Sequence, residues 1–467
     1  MLKFMTSVAA VAAMSIGVAA GPANAQGFVN WTQYLFSPQH TSRNGAAQSI
    51  TPANAATVSK AWTFDPPTAP SGLGGFWSSP TVYDGVVYIG ARNGYFYAVR
   101  EATGNVIWSR FIGYVTHKTC SAAGFTSTAT VAPDPTSGKP TVYVYGASGY
   151  LYAMDAASGA DAWPPAKVAI PSTQVNDYYA WTSPLVFHHN VYVGISSQCD
   201  APLVRAGLDS FSQATGTRQG TFWTTPAGTK GASIWSSAAG NQSAIYLTTG
   251  NGPKGSLGYS IIKLSPSLTK MGSWAVPKSQ QVSDSDFGGS VTIWSANVNG
   301  HATTMAGACN KNGNYYALKA SNLAAGPVWQ RQIGNSSTKG PGQCNAAAVS
   351  DGSHLYLASN GTTINGKAYE GSVRKVNPAT GAVIWQRGLT GPVIGTPGMD
   401  GAGVIAAQSY RSSANKNGVF LINASNGKLL KTISYGTASI FGQPVFADRY
   451  LLVASTGSQG LTAYKAP

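Results

Sequence analysis

The sequence predicts an all-β chain, an eight-bladed β-propeller of four-stranded antiparallel blades. Two observations point there. Trp62, Trp108, Trp163, Trp274, Trp329 and Trp385 are separated by 46, 55, 111, 55 and 56 residues, and the long interval is close to twice the others. A repeat of that length marks an array of similar structural units. Between the tryptophans run short alternating stretches of β-branched and aromatic residues bounded by Asp-Gly and Asn-Gly, the signal for strands joined by tight turns. Composition agrees. Only 10% of the 467 residues are charged, against roughly 25% in an ordinary soluble domain, and exposed helix faces are where Glu and Lys usually gather. A content of 43% hydrophobic residues with 12 Trp excludes a disordered chain.

Residues 1–25 read as a secretory signal peptide: Lys3, an apolar stretch from Val8 to Ala20, and the small-residue ending Ala23-Asn24-Ala25. The expected mature chain, 26–467, is then a single exported propeller domain, periplasmic or secreted. It carries no membrane anchor, since no later stretch reaches the ~20 apolar residues of a span. A monomer is expected.

The first full unit shows how each blade is written. Ser79-Pro80-Thr81-Val82-Tyr83 is a strand, Asp84-Gly85 turns the chain, and Val86 to Gly90 returns. Asn93-Gly94 turns it again into Tyr95 to Val99, and Val106 to Ser109 ends the unit. A Gly four residues before Trp recurs at Gly104, Gly159 and Gly381, and the same turn recurs without its Trp at Gly216 and Gly427. The first and last units are incomplete. Lys60-Ala61-Trp62-Thr63-Phe64 supplies the outer strand to the blade that ends with Leu461 to Lys465, closing the ring without a free edge.

Four cysteines in an exported chain imply two disulfides, and local order favours Cys120–Cys199 and Cys309–Cys344 among three possible pairings. The net charge of +15 comes from 30 Lys+Arg scattered singly against 15 acids, so no basic track for nucleic acid is present. Thirteen of the acids are Asp and two, Glu101 and Glu370, are Glu. Most of the Asp residues that stand out fit the pattern: Asp84, Asp351 and Asp400 in hairpin turns, Asp134 in a Pro-rich loop, Asp155 in the repeat turn. Asp200, Asp284 and Asp286 fit no turn and lie where funnel-facing loops are expected.

The segments Tyr97 to Trp108 and Tyr152 to Gly159 resemble the tryptophan-docking repeat of the pyrroloquinoline quinone (PQQ) dehydrogenases. Four further segments resemble the alcohol dehydrogenases of that family, in order. Gly231-Ala-Ser-Ile-Trp235 is similar to the segment whose Trp forms a flat floor under the quinone. Tyr246-Leu-Thr-Thr-Gly-Asn251-Gly is similar to the one whose Asn is a calcium ligand. Ser283-Asp-Ser-Asp286-Phe-Gly-Gly resembles the segment with the catalytic Asp, and Gly307-Ala-Cys-Asn-Lys311-Asn-Gly resembles the turn whose basic residue bonds the quinone oxygens.

The resemblance implies PQQ and Ca²⁺ as cofactors. It implies Asp286 as the base and Lys311 as the group that steadies the reduced quinone. It further implies Trp235, Asn251 and Lys311 as cofactor ligands, with Asn251 and Asp286 on the metal. The family's calcium-ligating Glu is absent after Val193-Gly-Ile-Ser196, and Asp200 or Gln198 is left to replace it. The family's strained ring of adjacent cysteines is missing too, and Cys120 with Cys199 is its nearest substitute. Gly288 stands where lanthanide-using relatives carry a second Asp, which favours calcium. An alcohol, small or of the polyvinyl-alcohol kind, is the implied substrate, and cytochrome c or a quinone is the implied external acceptor, since no haem motif is present. The alternative is a non-catalytic PQQ-repeat propeller serving as a binding or envelope-assembly scaffold.

Overall fold

The computed structural model describes residues 27–70, 72–116, 120, 122–172, 177–335 and 344–467. The signal-peptide expectation falls outside them. Among the described residues there are eight four-stranded antiparallel sheets, and in seven of them each strand pairs with its sequence neighbours. Numbered from the first complete unit, blades 1 to 7 span 81–111, 130–167, 185–223, 239–275, 292–332, 349–389 and 398–436. Blade 8 takes its three inner strands from 445–465 and its outer strand from Ser59–Phe64, which pairs with Leu461–Lys465. The ring is closed as the sequence predicts.

Tryptophan docking explains the spacing. Each repeat Trp lies against the Gly of the next blade, and that Gly sits at positive φ, a conformation that only Gly adopts without strain. A Cβ built on Gly159 would stand 2.7 Å from Trp108 Cε3, and one on Gly381 would stand 2.5 Å from Trp329 Cε3. The indole N–H then donates to the neighbouring turn, Trp108 to Ala156 O at 3.0 Å and Trp329 to Pro378 O at 3.1 Å. Aliphatic cores fill the space between adjacent blades. That between blades 8 and 1 gathers Val82, Val87, Ile89, Val445, Leu452 and Ala454.

Two girdles hold the centre. A hydroxyl residue just before the first strand accepts the backbone N–H of its counterpart in the preceding blade: Ser79 to Thr128, Thr128 to Ser183, Ser183 to Ser237, Ser237 to Ser290. Across one end the N-terminal segment runs from blade to blade. Backbone bonds tie Trp31 to Val82, Thr32 to Val131, Pro38 to Gly240, Gln39 to Ile293, Thr41 to Ser350, Ser42 to Met399 and Val29 to Asp448.

Strand order decides what the other end carries. In an antiparallel four-stranded blade, the turn between strands two and three lies at the same end as the connection to the next blade. Every off-pattern residue singled out in the sequence falls in one of those two kinds of loop.

Candidate active site

Blades 3, 4 and 5 contribute to one cavity of about 300 Å³, bordered by Trp235, Asn251, Asp284, Asp286, Lys311 and Asp200, and also by Trp181, Cys199 and Ser233. Trp235 comes from the connection between blades 3 and 4, and Asn251 from the loop after Ala244–Thr248. Asp284 and Asp286 come from the connection between blades 4 and 5, and Lys311 from the turn between His301–Cys309 and Asn314–Lys319.

Lys311 is the hub. Its ammonium donates to Asp284 at 2.9 and 2.8 Å and to Asp286 Oδ2 at 2.9 Å. It also stands 5.3 Å from the centroid of the Trp235 ring, within cation–π range. The other Asp286 oxygen accepts the Asn251 backbone N–H at 2.5 Å. Asn251 is fixed at both ends of its amide: Nδ2 donates to Asp284 at 3.1 Å, and Oδ1 accepts from the Ser285 N–H at 3.1 Å. The Lys311 backbone N–H donates to Asp286 O at 2.9 Å, so the turn and the connection are tied along the main chain as well.

Burial separates the two carboxylates. Asp286 is 6% exposed, whereas the Asp284 side chain is 50% exposed. Burial pushes the Asp286 carboxyl above the ordinary range. The Asp284 charge adds to the rise, and the Lys311 ammonium opposes it. For Lys311, burial alone would lower the ammonium, but Asp286 and Asp284 together hold it above its usual value. The site therefore keeps a charged lysine beside a carboxylate of raised basicity.

Trp235 divides two spaces. A second cavity of about 240 Å³ lies along the axis, walled by the hydroxyl girdle, by Tyr34 from the N-terminal segment, and by the same Trp235 and Trp181. These two indoles meet edge to face at 6.4 Å. Trp235 Nε1 is buried with no partner among the described residues, so the ring has a free donor as well as a flat face.

The expected cysteine pairing is the one observed. Cys120 joins Cys199 and Cys309 joins Cys344, with Cα separations of 6.3 and 5.1 Å. Cys199 borders the cavity, and Cys120 reaches it through the bridge. Asp200 borders it too, accepting the Ser197 hydroxyl at 2.5 Å.

Sequence reasoning missed Trp181, Ser197, Ser233 and the role of Asp284 as the second partner of Lys311. It also missed Arg92, whose guanidinium carbon lies 4.5 Å from the Trp77 ring centroid, with Nε buried and unpartnered. Arg92 precedes Asn93-Gly94 in a hairpin turn like any other, and only its position at the same end of the ring marks it.

The metal expectation meets a sparser donor set. Asn251, Asp286 and Asp200 share the cavity wall, but both Asp286 oxygens and Asn251 Oδ1 already accept hydrogen bonds. Among the described residues no three His, Cys, Asp or Glu side chains group closely enough to hold an ion. Calcium takes 6–8 oxygens. These residues do not make a calcium cage by themselves.

A planar aromatic cofactor is better provided for, by an indole face, an unpartnered indole N–H and a cation held over that face.

Residues 31–244 match the family model "glucose/ethanol/alcohol dehydrogenase, beta-propeller domain", and residues 316–466 match "outer membrane protein assembly factor BamB". No curated protein matches the chain in sequence. Among solved structures, the fold is similar to the quinohemoprotein alcohol dehydrogenase of Comamonas testosteroni. The TM-score is 0.70 and the identity 17%, covering 93% of this chain and 80% of that one. A europium-containing methanol dehydrogenase aligns with a TM-score of 0.71 at 15% identity, over 91% of this chain and 90% of that one. BamB of Moraxella catarrhalis aligns with a TM-score of 0.54 at 13% identity, over 87% and 99%. Residues 31–244 thus carry a PQQ-repeat β-propeller domain, and the solved structures share the propeller fold with this chain.

Proposed function

We propose that this propeller is an exported quinoprotein that oxidises an alcohol and passes the electrons to an external acceptor such as cytochrome c. One observation carries the reading: the Asp286–Lys311 pair and the Trp235 face share a single cavity built from loops that depart from the repeat. A scaffold has no need to bury a carboxylate beside a lysine at the mouth of its channel.

Bound PQQ would supply the two-electron acceptor that no side chain here provides. Trp235 offers the plane on which an extended ring system stacks. Lys311 lies over that plane, where its charge would steady negative charge gained by a bound quinone. Asp286 is the proton acceptor for the alcohol hydroxyl. Its raised basicity suits that task, and Lys311 and the Asn251 N–H hold the carboxylate in one orientation. The Cys120–Cys199 bridge narrows the cavity on the Cys199 side. Asn251, Asp286 and Asp200 are the protein oxygens on the cavity wall, and a calcium ion there would need most of its ligands from a bound quinone and water.

The test is reconstitution with PQQ and Ca²⁺ followed by dye reduction with a panel of alcohols. Quinone binding at micromolar PQQ and alcohol-dependent reduction are expected; absence of bound quinone overturns the proposal. In Asp286→Asn, turnover should fall by roughly 10²–10⁴-fold while quinone binding persists. The match of 316–466 to the BamB model favours a second reading, a non-catalytic scaffold. That reading expects no quinone to bind, so the same titration separates the two.

A further inference from the structure

The end of the ring opposite the cavity holds another departure from the repeat. In the turn between the third and fourth strands, one residue's carbonyl accepts the docked indole N–H. It is Ala156, Gln213, Pro378 and Ala424 in blades 2, 3, 6 and 7. In blade 1 it is Glu101, which accepts from Trp62 at 2.7 Å across the seam where blade 8 closes the ring. One of only two Glu in the chain therefore stands at the one interface that joins the two ends of the sequence.

The Glu101 side chain is 2% exposed and its Oε1 has no partner. Its carboxyl faces that of Asp448, in the first hairpin turn of blade 8, and both residues border one groove. Asp448 in turn accepts the Val29 N–H at 2.6 Å and donates its own N–H to Val29 O at 3.1 Å, holding the N-terminal segment. Two carboxyl groups can hydrogen-bond to each other only if one of them carries a proton. Blade 3 makes the same tether without charge, Gln213 Nε2 donating to Pro133 O of blade 2 at 2.8 Å.

A groove of about 990 Å³ opens beside the pair, so solvent can deliver or remove the proton. Its other charged or titratable groups among the described residues are Asp84 and Arg100 from blade 1 and Arg449 and Tyr450 from blade 8; the described N-terminal residues that line it are uncharged.

We propose that a proton held on the buried Glu101 carboxyl, beside Asp448, latches the seam of blades 8 and 1, and that losing it frees the N-terminal segment from the ring. Burial, with Asp448 adding and Arg449 opposing, pushes Glu101 up to about 9. Because the folded value lies above the ordinary one, the latch is fully present in acid and is lost as pH rises through that value.

The experiment is hydrogen exchange of the segment around Val29 and of the Glu101 turn in the full chain, corrected for intrinsic rates, at steps from pH 6 to 10. Between the ordinary carboxylate value and the folded value, protection should fall about tenfold per pH unit in the unsubstituted protein, and it should level off above the folded value. In Glu101→Gln, whose amide donates to Asp448 at every pH, protection should stay level. Equal protection of the unsubstituted protein at pH 7 and pH 10 overturns the latch, and so does a Glu101→Gln profile that follows it. If Glu101→Gln fails to fold, Asp448→Asn must likewise abolish the step in protection, and the unsubstituted series decides independently. No arm needs a cofactor.

Discussion

Lys311 touches both carboxylates of the cavity, and removing its charge tests the pair without removing the base. Its ammonium lowers the proton affinity of Asp286 against the rise caused by burial. In Lys311→Met that opposition is lost, so Asp286 should hold its proton to higher pH. The acid limb of kcat/KM for the reconstituted enzyme is therefore expected to move upward in pH, in addition to any loss of rate. An unmoved limb would mean that Asp286 is not the titrating base. Much of this cavity was legible in the sequence because it departs from the repeat. Asp286 fits no regular turn, whereas Asn251 and Lys311 sit in Asn-Gly and Lys-Asn-Gly sequences of the ordinary turn kind and stand out only through the family resemblance. What was not legible is the partner choice. Asp284 clamps Lys311 with both oxygens only because the Ser285 N–H bonds Asn251 Oδ1 and turns the chain there. That depends on two loops meeting in space, which spacing along one chain does not contain.

At the scale of the blade, the docking pair makes a separable contribution to stability. Gly159 and Gly138 both sit at positive φ, +73° and +70°, but a Cβ on Gly138 meets nothing within 4 Å, whereas one on Gly159 meets the Trp108 ring. Both Gly→Ala changes carry the backbone cost of a left-handed residue, about 1–2 kcal/mol. Only Gly159→Ala adds overpacking, typically 1–3 kcal/mol more. Denaturant unfolding should place Gly159→Ala below Gly138→Ala by about that increment, and equal values would mean that the indole shifts freely. Six docking pairs were readable from Trp spacing. The interface between blades 3 and 4 was not, because its parts are exchanged. Gly220 stands four residues after Gly216, where the Trp belongs, and Leu268 takes the left-handed position at φ +64° that Gly fills elsewhere. The Leu268 side chain fills the gap, 3.7 Å from where a Gly220 Cβ would be. Volume is conserved across the interface while the motif disappears.

For the molecule as a whole, the scarcity of acid and the burial of the acids that remain act in the same direction. Burial pushes Glu101 to about 9, Asp400 to about 7 and Asp209 to about 6. Asp400 lies in the hairpin turn that its Asp-Gly dipeptide predicts, yet it is buried there, with Oδ2 unpartnered. Asp209 is buried within blade 3 and paired with Arg218 at 2.9 Å. Each of the three binds its proton more tightly folded than unfolded, so each contributes stability that is present in acid and lost as pH rises through its folded value. The opposite group is Asp134, Asp155 and Asp351, held below the ordinary range by hydroxyl and backbone N–H donors, with burial opposing. Their contribution is lost only in strong acid, below the ordinary carboxylate range. The melting temperature should therefore be highest on the acid side of neutrality and decline toward pH 9. The windows assign the slope: Asp400 and Asp209 act between about pH 4 and 7, whereas above 7 only Glu101 of these three still titrates. Glu101, whose window spans both ranges, should when changed to Gln flatten the profile above pH 7 and lessen the decline below it, whereas Asp400→Asn should lessen the decline below pH 7 and leave the slope above it. A melting temperature that rises steadily from pH 5 to 8.5 in the unsubstituted protein would show that the buried carboxyls are ionised in the fold.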